Sequence, residues 1–353
     1  MNGLKILYVC NEDRATTKQR LMALKELQVD VDIVYTHLLN ERIGLIKKII
    51  RALSFRLGFF PERNNENAML LRCLQEKKYD ILFVEKGLSI KPATLRKAKK
   101  VQAGLRVVSY TLDDVMNKKN SSLYYRRSIP LYDFHFTNKK FNVPELESAG
   151  GRNVHYFKNG YSEQVHRPIN VDDVERDHYG SDVSFIGTFE EERAASLRHI
   201  AEQGINVKVW GWVKTAAQTN MDQPNITMKE QYAYDDDYAK VICSSKINLC
   251  FLRKENRDTE TTRSVEIPAC GGFMLAERTN DHLELFDEDK EAAYFGSEAE
   301  LVDKIKYYLQ HETERKQIAQ NALARCIKSE YGYTHQLRKI ISIILGHDAF
   351  GDR

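Results

Sequence analysis

The sequence predicts an α/β protein with two doubly wound parallel sheets. Short apolar runs alternate with amphipathic stretches along most of the 353 residues, and this alternation is typical of βαβ units. A polar passage around Gly160 and Pro168 interrupts the rhythm once, after which it restarts. The length also suits two hydrophobic cores better than one. We therefore expect two Rossmann-like domains that face each other across a cleft.

The apolar runs place the strands of both domains. In the first domain, predicted over residues 1–165, strands are expected at residues 4–10, 31–35, 80–85, 105–110, 134–138 and, more weakly, 154–157. In the second domain, predicted over residues 166–332, strands are expected at residues 181–187, 205–211, 246–251, 272–276 and 292–295. Residues 297–345 look helical with a break near Gly332. Residues 333–353 are therefore predicted to form a helix that crosses back towards the first domain.

The composition narrows the class of protein. The chain is 42% hydrophobic and 29% charged, which is typical of a folded globular protein, and it has no apolar run of about 18 residues that could span a bilayer. Six cysteines occur without a CxxC pair, which favours buried thiols. The net charge of +3 gives no general affinity for nucleic acid. The first apolar run is too short for a secretory signal, so we expect a cytoplasmic protein.

Residues 261–276 combine charged side chains with a glycine pair. Arg263 and Glu266 are three residues apart and share one helix face. Gly271 and Gly272 follow, and glycine permits a sharp turn or a close approach of ligand to backbone. Exposed N–H groups at such a turn can hold an anion. The pattern predicts a ligand-binding corner, while a helix stop with a surface ion pair is the alternative.

A second candidate follows the apolar run 181–187. The run ends at Gly187 and Thr188, and the helix that follows carries Arg193. A strand, a turn and a helix N-terminus in this order suit a phosphate. Glu190, Glu191 and Glu192 also favour ordinary helix capping, so that alternative stays open. Neither GxGxxG nor GxxxxGK[ST] occurs, which gives no support to a nicotinamide or Walker-type site.

The segment between residues 251 and 266 mixes cations and acids directly after a predicted strand. It contains Arg253, Lys254, Arg257 and Arg263 together with Asp258, Glu260 and Glu266. Cations suit phosphate oxygens and a carboxylate suits vicinal hydroxyls. The segment therefore predicts a diphosphate and ribose site, with a solvated mixed-charge loop as the alternative.

Polar residues also follow strands of the first domain. Asp113 and Asp114 follow one predicted strand and Glu85 and Lys86 follow another. Strand-end carboxylates can orient a hydroxyl or act as a base, although Asp114 also suits a turn or helix start. The residues that we assign to the acceptor side are Lys86, Asn11 and Arg14. The acidic run 235–237 is more typical of a helix start than of a metal site.

Residues 42–60 form a basic amphipathic stretch. Their isoleucines and leucines fall on one side of a helix and Lys47, Lys48 and Arg51 on the other. This pattern matches an interfacial helix that could contact anionic lipid. The alternative is an ordinary helix that packs its apolar stripe on the first sheet.

Taken together, these segments resemble the GT-B glycosyltransferases, and most closely the CgeB-like, spore-maturation-type branch of the family 1/family 4 superfamily. TTRSVEIPACGGFMLAERTNDHLELF resembles that branch's donor-site segment, and TNKKFNVPELESAGGRNVHYFKNGY resembles its stretch before the interdomain crossing. The likeness covers nearly the whole chain and is most specific over residues 181–345. It implies that the C-terminal domain binds the donor and the N-terminal domain the acceptor.

The resemblance also implies residue roles. Glu266 stands at the second glutamate of the family's EX7E motif, which binds the nucleotide ribose, and Asp258 stands at the first acidic place, as Asp instead of Glu. Gly271, Gly272 and Phe273 match the turn beside the diphosphate and sugar. The phosphates are assigned to Gly187, Thr188, Arg193, Arg253 and Arg263, and the region of the base to Trp210 and Gly211.

We therefore expect a glycosyltransferase that moves a hexose from a nucleotide-diphosphate sugar, a UDP- or GDP-sugar, to a hydroxyl of a glycan, lipid-linked or protein acceptor. Asp113 and Asp258 are the expected catalytic residues, and neither a metal nor another cofactor is expected. The resemblance implies retention of configuration. A sugar-nucleotide epimerase or hydrolase and a non-catalytic binding scaffold are the alternatives, and the sugar, the base, the acceptor and the oligomeric state stay open.

Overall fold

The computed structural model describes residues 1, 3–11, 15–37, 54, 58–212, 219–229 and 231–346. The chain divides into two compact units: unit 1 is Met1–Lys158, Glu255–Arg257 and Tyr333–Arg353, and unit 2 is Asn159–Lys254 and Asp258–Gly332. The first division falls after Lys158 and not after residue 165. Arg14 and most of the basic stretch 42–60 lie outside the described residues, so the predictions for them concern parts that the structure does not describe.

Unit 1 contains a parallel sheet with strand order β2-β1-β3-β4-β5-β6. The strands are β1 (Lys5–Asn11), β2 (Asp30–His37), β3 (Ile81–Glu85), β4 (Arg106–Thr111), β5 (Phe134–Thr137) and β6 (Val154–Tyr156). β1 and β3 are apolar and almost fully buried, as expected for central strands covered on both faces. Because all strands are parallel, their carboxyl ends lie side by side at the same end of the sheet.

Helices cover both faces of this sheet. They are α1 (Ala15–Glu26), α2 (Glu66–Glu76), α3 (Pro92–Val101), α4 (Leu123–Ser128), α5 (Asn142–Ser148) and, from the end of the chain, Tyr333–Leu345, which is α13. In α13, Tyr333, Leu337, Ile340, Ile341 and Ile344 are buried in one core with α1 and β1. This spacing follows the helical period, so the last helix is an integral part of unit 1.

Unit 2 contains a second parallel sheet with strand order β12-β11-β10-β7-β8-β9. Its strands are β7 (Val183–Ile186), β8 (Val207–Trp210), β9 (Ile226–Lys229), β10 (Ile247–Cys250), β11 (Met274–Glu277) and β12 (Ala293–Phe295). β9 was not predicted. It lies at the sheet edge and is only partly buried, so its sequence, Ile-Thr-Met-Lys, needs no continuous apolar run.

The helices of unit 2 complete the α/β arrangement. They are α6 (Asp173–Tyr179), α7 (Glu191–Glu202), α8 (Asp236–Ser244), α9 (Arg263–Ala269), α10 (Asn280–Leu285), α11 (Glu298–Gln310) and α12 (Glu312–Lys328). Two large apolar cores lie on the two faces of the sheet. The predicted fold class is therefore confirmed. Within the described parts of the chain, no helix is long and apolar enough to cross a membrane.

Candidate functional site

At the carboxyl end of β7 in unit 2, side chains lie very close to the backbone of Gly187. β7 ends at Ile186, and the Gly187 N–H donates to the Trp210 carbonyl over 3.1 Å. A Cβ on Gly187 would lie 2.7 Å from the Phe185 ring and 3.0 Å from Nη1 of Arg263. Such distances are shorter than van der Waals contact, so a side chain here would displace the guanidinium from the strand end.

Two arginines converge at this strand end. Arg263 donates from Nη2 to the Phe251 carbonyl over 2.9 Å, and Arg193 donates from Nη2 to the same carbonyl over 3.5 Å. Their guanidinium carbons lie 5.5 and 5.6 Å from the centre of the Phe185 ring. Nε of each arginine is buried without a hydrogen-bond partner. The two positively charged guanidinium groups thus share the Phe251 carbonyl as acceptor and the Phe185 ring as neighbour, and each still has an N–H group that could donate to a ligand.

The electrostatics of the pair follow from this geometry. Burial, reinforced by the neighbouring charge of Arg263, lowers the pKa of Arg193 to about 10. Arg253 adds a third positive charge and donates from Nε to Glu190 over 2.7 Å. Glu190 is also 3.6 Å from Nε of Arg193. The strand end is therefore cationic and suited to an anion with several oxygens.

Glu266 lies one turn into α9 and is 5% exposed. The Tyr238 hydroxyl donates to its Oε2 over 3.2 Å, and Nε2 of His166 is 3.9 Å from its Oε1. Burial raises the pKa of Glu266 to about 7, although the Arg263 charge opposes that rise. Hydroxyl groups that donate hydrogen bonds would stabilise this buried carboxyl group, and a ribose supplies such hydroxyls.

Asp258 and Thr188 lie beside the arginines in the loops of unit 2. Asp258 Oδ2 accepts the Arg253 N–H over 3.4 Å, and the Asp258 N–H donates to the Arg253 carbonyl over 3.1 Å. The Thr188 carbonyl accepts a hydrogen bond from Nη1 of Arg193 over 3.2 Å. These contacts fix the two loops that carry the predicted phosphate residues.

The glycine pair that the sequence resemblance assigned to the diphosphate lies at the opposite end of the strands, where their amino ends meet. Gly271 and Gly272 follow α9 and precede β11, so they lie at the amino end of that strand. A Cβ on Gly272 would lie 2.3 Å from the Ile242 side chain, and Phe273 is buried against Tyr308 with ring centres 4.6 Å apart. Helix α9 thus carries the chain from the carboxyl ends of the strands back to their amino ends, and the structure does not bring the glycine pair together with the arginines at the end of β7.

The Trp210 ring is also unavailable to a ligand. It is 1% exposed and stacks on Tyr179 with ring centres 5.6 Å apart. The following Gly211 has φ +90°, a conformation that favours glycine, and its N–H donates to the Gln231 carbonyl over 3.1 Å. Gly211 is buried as well, and a Cβ there would lie 3.2 Å from both the Gly187 carbonyl and the Tyr232 ring.

Unit 1 contains a pocket at the carboxyl ends of β1, β2 and β3. Its walls combine the predicted residues Asn11 and Lys86 with apolar and polar neighbours. The lining residues are Asn11, Thr36, His37, Phe60, Pro61, Arg63, Glu85, Lys86, Gly87, Leu88 and Ser89. An apolar and aromatic wall beside amide, hydroxyl and charged groups suits a sugar.

Lys86 links this pocket to Asp113. Its ammonium group forms an ion pair with the Asp113 carboxylate, which follows the neighbouring strand β4. Lys86 has φ +63°, a conformation that is uncommon for a residue with a side chain. Beneath it, Glu85 accepts hydrogen bonds from Tyr8 and from the fully buried Arg20. The structure thus brings the predicted Lys86 and Asp113 together.

Arg257 belongs to unit 1 and not to the arginine group of unit 2. It donates to Asp114 over 2.6 and 2.9 Å and to Glu145 over 3.0 Å, and its guanidinium lies 4.0 Å from the centre of the Phe141 ring. The Asp114 side chain is fully buried, and the Arg257 hydrogen bonds hold its pKa below the usual value against the effect of burial. No local pattern predicts this contact, because Asp114 and Arg257 are 143 residues apart.

Sequence reasoning also missed Glu277 at the end of β11. Its Oε1 accepts the Leu252 N–H over 2.7 Å, and burial raises its pKa. An acidic residue at the end of an apolar run was the available signal. Among the residues that the structure describes, no group of three or more His, Cys, Asp or Glu side chains is placed to hold a metal ion.

Comparisons with known proteins agree with this architecture. Residues 193–342 match a family described as "Glycosyl transferase-like". HepE from Anabaena, solved with UDP and glucose, superimposes with a TM-score of 0.64 at 13% identity, covering 97% of this chain and 99% of that one. The fold is GT-B.

Two further GT-B structures show the same likeness. Sucrose-phosphate synthase from Thermosynechococcus elongatus superimposes with a TM-score of 0.66 at 10% identity, covering 97% of this chain and 99% of that one. TarM from S. aureus, solved with Fondaparinux, α-GlcNAc-glycerol and UDP, gives 0.64 at 10% identity with the same coverage. No curated protein matches the chain significantly.

Proposed function

We propose that the protein is a glycosyltransferase that uses a nucleotide-diphosphate sugar as donor. The observation that carries this proposal is that two arginines, the buried Arg193 and the partly buried Arg263, donate to the single carbonyl of Phe251. Two guanidinium groups in this arrangement repel each other, and a diphosphate would offset the repulsion while accepting their remaining hydrogen bonds. The same groups would stabilise the diphosphate as it leaves.

Glu266 and the glycine at the strand end extend the donor site in this proposal. Glu266 would accept the ribose hydroxyls, and Gly187 would let the phosphates lie close to the backbone. HepE and TarM were each solved in complex with UDP, which supports a uridine nucleotide in the same fold. GDP remains the second nucleotide of the proposal.

The acceptor would bind in the pocket of unit 1. In the transfer, an acceptor hydroxyl oxygen forms a bond to the anomeric carbon, the bond from that carbon to the diphosphate oxygen breaks, and the hydroxyl proton passes to a base. Asp113 is our candidate for orienting that hydroxyl or taking its proton, and the ion pair with Lys86 would hold its carboxylate in place. Lys86 and Asn11 would contact the acceptor.

The donor assignment is tested by binding. Isothermal titration calorimetry with UDP and GDP should show binding to the wild type, and Arg193→Ala and Arg263→Ala should each weaken it about ten- to a hundredfold, because each removes charged hydrogen bonds worth about 1.5–3 kcal/mol. Arg198→Ala is the matched control, since Arg198 lies on the same helix α7 but contacts Glu191. Equal affinity in all variants would contradict the proposal.

The reaction is tested by product analysis. UDP-glucose and UDP-N-acetylglucosamine, incubated with and without glycan or lipid-linked acceptors, should release UDP faster with an acceptor and give a glycosylated product by mass spectrometry. A putative UDP-N-acetylglucosamine 2-epimerase from Listeria monocytogenes also shares the fold, with a TM-score of 0.58 at 13% identity. Conversion of the donor to its epimer without an acceptor would therefore favour an epimerase.

The finer parts of the proposal rest on the sequence resemblance. They are the CgeB-like branch, transfer of a hexose with retention, independence of metal, and a cytoplasmic protein that acts in polysaccharide biosynthesis. The anomeric configuration of the product, determined by NMR, tests retention. Activity in the presence of a chelator tests the independence of metal.

A further inference from the structure

We propose that Asp114 and Arg257 are positioning residues for Asp113, the candidate base of the transfer. They hold the loop after β4 in the shape that brings the Asp113 carboxylate to the Lys86 ammonium group. Neither the sequence pattern nor the comparisons give them this role. The inference rests on the proposed function, because it concerns the acceptor side of that reaction, and every residue that carries it belongs to unit 1.

Two consecutive charged residues stand at the end of each of the neighbouring strands β3 and β4. They are Glu85 and Lys86 at the first strand end and Asp113 and Asp114 at the second. In each pair one carboxylate is buried and ion-paired with an arginine, while the other residue takes part in the ion pair of Lys86 with Asp113. The Lys86 N–H also donates to the Tyr110 carbonyl of β4 over 2.9 Å. The anchored residue at each strand end therefore sets the direction of the charged residue beside it.

Side chains hold three successive N–H groups of the loop after β4. The Asp114 N–H donates to Oδ1 of Asn256 over 2.9 Å, and the Val115 N–H donates to Oδ1 of Asn142 over 3.2 Å. The Met116 N–H donates to Oδ1 of Asp114 over 3.2 Å. No helix or strand includes these three groups, so the side-chain contacts satisfy them and fix the path of the loop.

Arg257 completes this arrangement through Asp114. The Asp114 side chain is fully buried, and it accepts from Arg257 over 2.6 and 2.9 Å and from Nδ2 of Asn142 over 3.0 Å. The guanidinium group is held on its other sides by Glu145 over 3.0 Å and by the Phe141 ring. Without Arg257 a buried carboxylate would lack its cation, which is strongly unfavourable. The loop would then move until Asp114 reached water.

The expected effect is on the chemical step and not on donor binding. A base works only within hydrogen-bond reach of the hydroxyl whose proton it takes, and a displacement of about 1 Å can lower the rate about a hundredfold. Because Asp113 is the chain neighbour of Asp114, movement of Asp114 towards water displaces the Asp113 carboxylate. Lys86 is held separately, since Glu85 beside it keeps its ion pair with Arg20. The ion pair therefore opens from the Asp113 side.

The first test measures the ion pair of Lys86 with Asp113 and needs no substrate. Pulse labelling with acetic anhydride, followed by mass spectrometry, gives the reactivity of Lys86 relative to Lys99, whose own ion pair with Asp133 is the internal reference. Arg257→Ala should raise this ratio about three- to tenfold, as expected for loss of one ion pair, because the amine is then open to the reagent. Arg257→Lys should restore part of the protection, and Asp113→Asn gives the upper limit.

The second test separates a positioning role from a purely structural one. Release of UDP from UDP-glucose or UDP-N-acetylglucosamine is followed with water in place of the acceptor hydroxyl, and UDP affinity is measured by calorimetry. Arg257→Ala should lower kcat about ten- to a hundredfold at unchanged UDP affinity. Millimolar guanidinium should restore part of the rate, since the Arg257 side chain is 45% exposed. Arg72→Ala, which removes a guanidinium group from an exposed ion pair with Glu76, is the matched control and should change none of these quantities.

Asp114→Asn keeps the size of the side chain but not its charge, so it should show the same changes and replaces Arg257→Ala if that variant does not fold. Unchanged Lys86 reactivity or an unchanged kcat in these variants would overturn the proposal. An equal loss of UDP affinity would also overturn it, because the disturbance would then be general. A wild type that binds neither UDP nor GDP would contradict the proposed function, while the labelling of Lys86 would still decide whether Asp114 and Arg257 position Asp113.

Discussion

Replacement of Glu266 by glutamine should stabilise unit 2 at neutral and alkaline pH while it impairs nucleotide binding. Glu266 is buried, and its pKa is raised from the ordinary value of 4.5 to about 7. Above pH 4.5 the carboxyl ionises in the unfolded chain, whereas in the folded protein it keeps its proton up to about pH 7. Stability is therefore lost as the pH rises from 4.5 to 7, and glutamine, which cannot ionise, avoids this loss.

The magnitude follows from the same values. One pKa unit corresponds to 1.36 kcal/mol, so the rise from 4.5 to about 7 makes ionised Glu266 cost the folded state up to about 3 kcal/mol. For a unit of this size, about 3 kcal/mol raises the melting temperature by roughly 6–12 °C. The gain in Glu266→Gln should be nearly complete at pH 8, and it should shrink as the pH falls towards 4.5.

Thermal unfolding of the wild type and the variant at pH 5, 6, 7 and 8 measures this effect. Glu300→Gln in the same unit is a control of opposite sign, because the Arg278 guanidinium, together with the Gly296 N–H, lowers the pKa of Glu300 to about 2. That variant should lose stability at neutral pH. A Glu266→Gln protein that is less stable than the wild type at pH 8, or equally stable at every pH, would refute the reasoning.

Nucleotide binding should show the reverse pH dependence. If ribose hydroxyls donate to Glu266, the ionised carboxylate binds them better, so ligand affinity should rise as the pH increases through about 7 and binding should release a proton. Calorimetry with UDP in buffers of different protonation enthalpy measures that release. Glu266→Gln should bind UDP more weakly at pH 8 and without proton release. An identical pH profile in the variant would remove Glu266 from the ribose site.

Three further changes test other parts of the protein. Gly187→Ala should weaken UDP binding and destabilise the protein by about 1–3 kcal/mol, because its Cβ would lie 2.7 Å from the Phe185 ring. Calorimetry measures the binding and urea unfolding measures the stability. Gly104→Ala is the neutral control in both assays, because a Cβ at Gly104 would meet nothing within 4 Å. Arg257→Ala should destabilise unit 1 by about 2–3 kcal/mol at pH 7, and by less at low pH where Asp114 takes up a proton. In the same urea assay Arg72→Ala, which removes one partner of an exposed ion pair, should leave stability nearly unchanged. Wild-type protein should float with anionic liposomes and a variant with Lys47, Lys48 and Arg51 changed to glutamine should float less; no flotation of the wild type would rule out the lipid contact predicted for residues 42–60.

The alternation of apolar runs was sufficient to predict the two parallel sheets, because buried central strands need continuous apolar sequence. Strand β9 was not predicted because it lies at the sheet edge and is only partly buried, so it needs no continuous apolar sequence. The pairing of Asp114 with Arg257 escaped it for another reason. Only the folded chain brings together two residues 143 positions apart, and sequence spacing alone placed Arg257 with the neighbouring arginines.

The two glycine sites show why a motif must be placed on a strand before it is given a role. Gly187 follows β7, whereas Gly271 and Gly272 precede β11. In a parallel sheet, residues that follow strands gather at the carboxyl edge, where ligands bind, and residues that precede strands gather at the opposite edge. Gly272 lies so close to Ile242 and Asn248 that a Cβ would clash with both, so the close packing of the chain accounts for glycine at this position.

The strongest support for a nucleoside diphosphate is that unit 2 has two unbalanced electrostatic features of opposite sign. The Nε–H groups of Arg193 and Arg263 are buried and make no hydrogen bond, and Glu266 is buried where ionisation is unfavourable. The charge of Arg263 offsets the effect of burial on Glu266 only in part, since the pKa of that carboxyl is still raised to about 7. An anion alone would satisfy the arginines and leave the carboxyl unchanged, and a neutral sugar would do the reverse. A ligand with phosphate oxygens and vicinal hydroxyls satisfies both, because it supplies acceptors to the guanidinium groups and donors to the carboxylate.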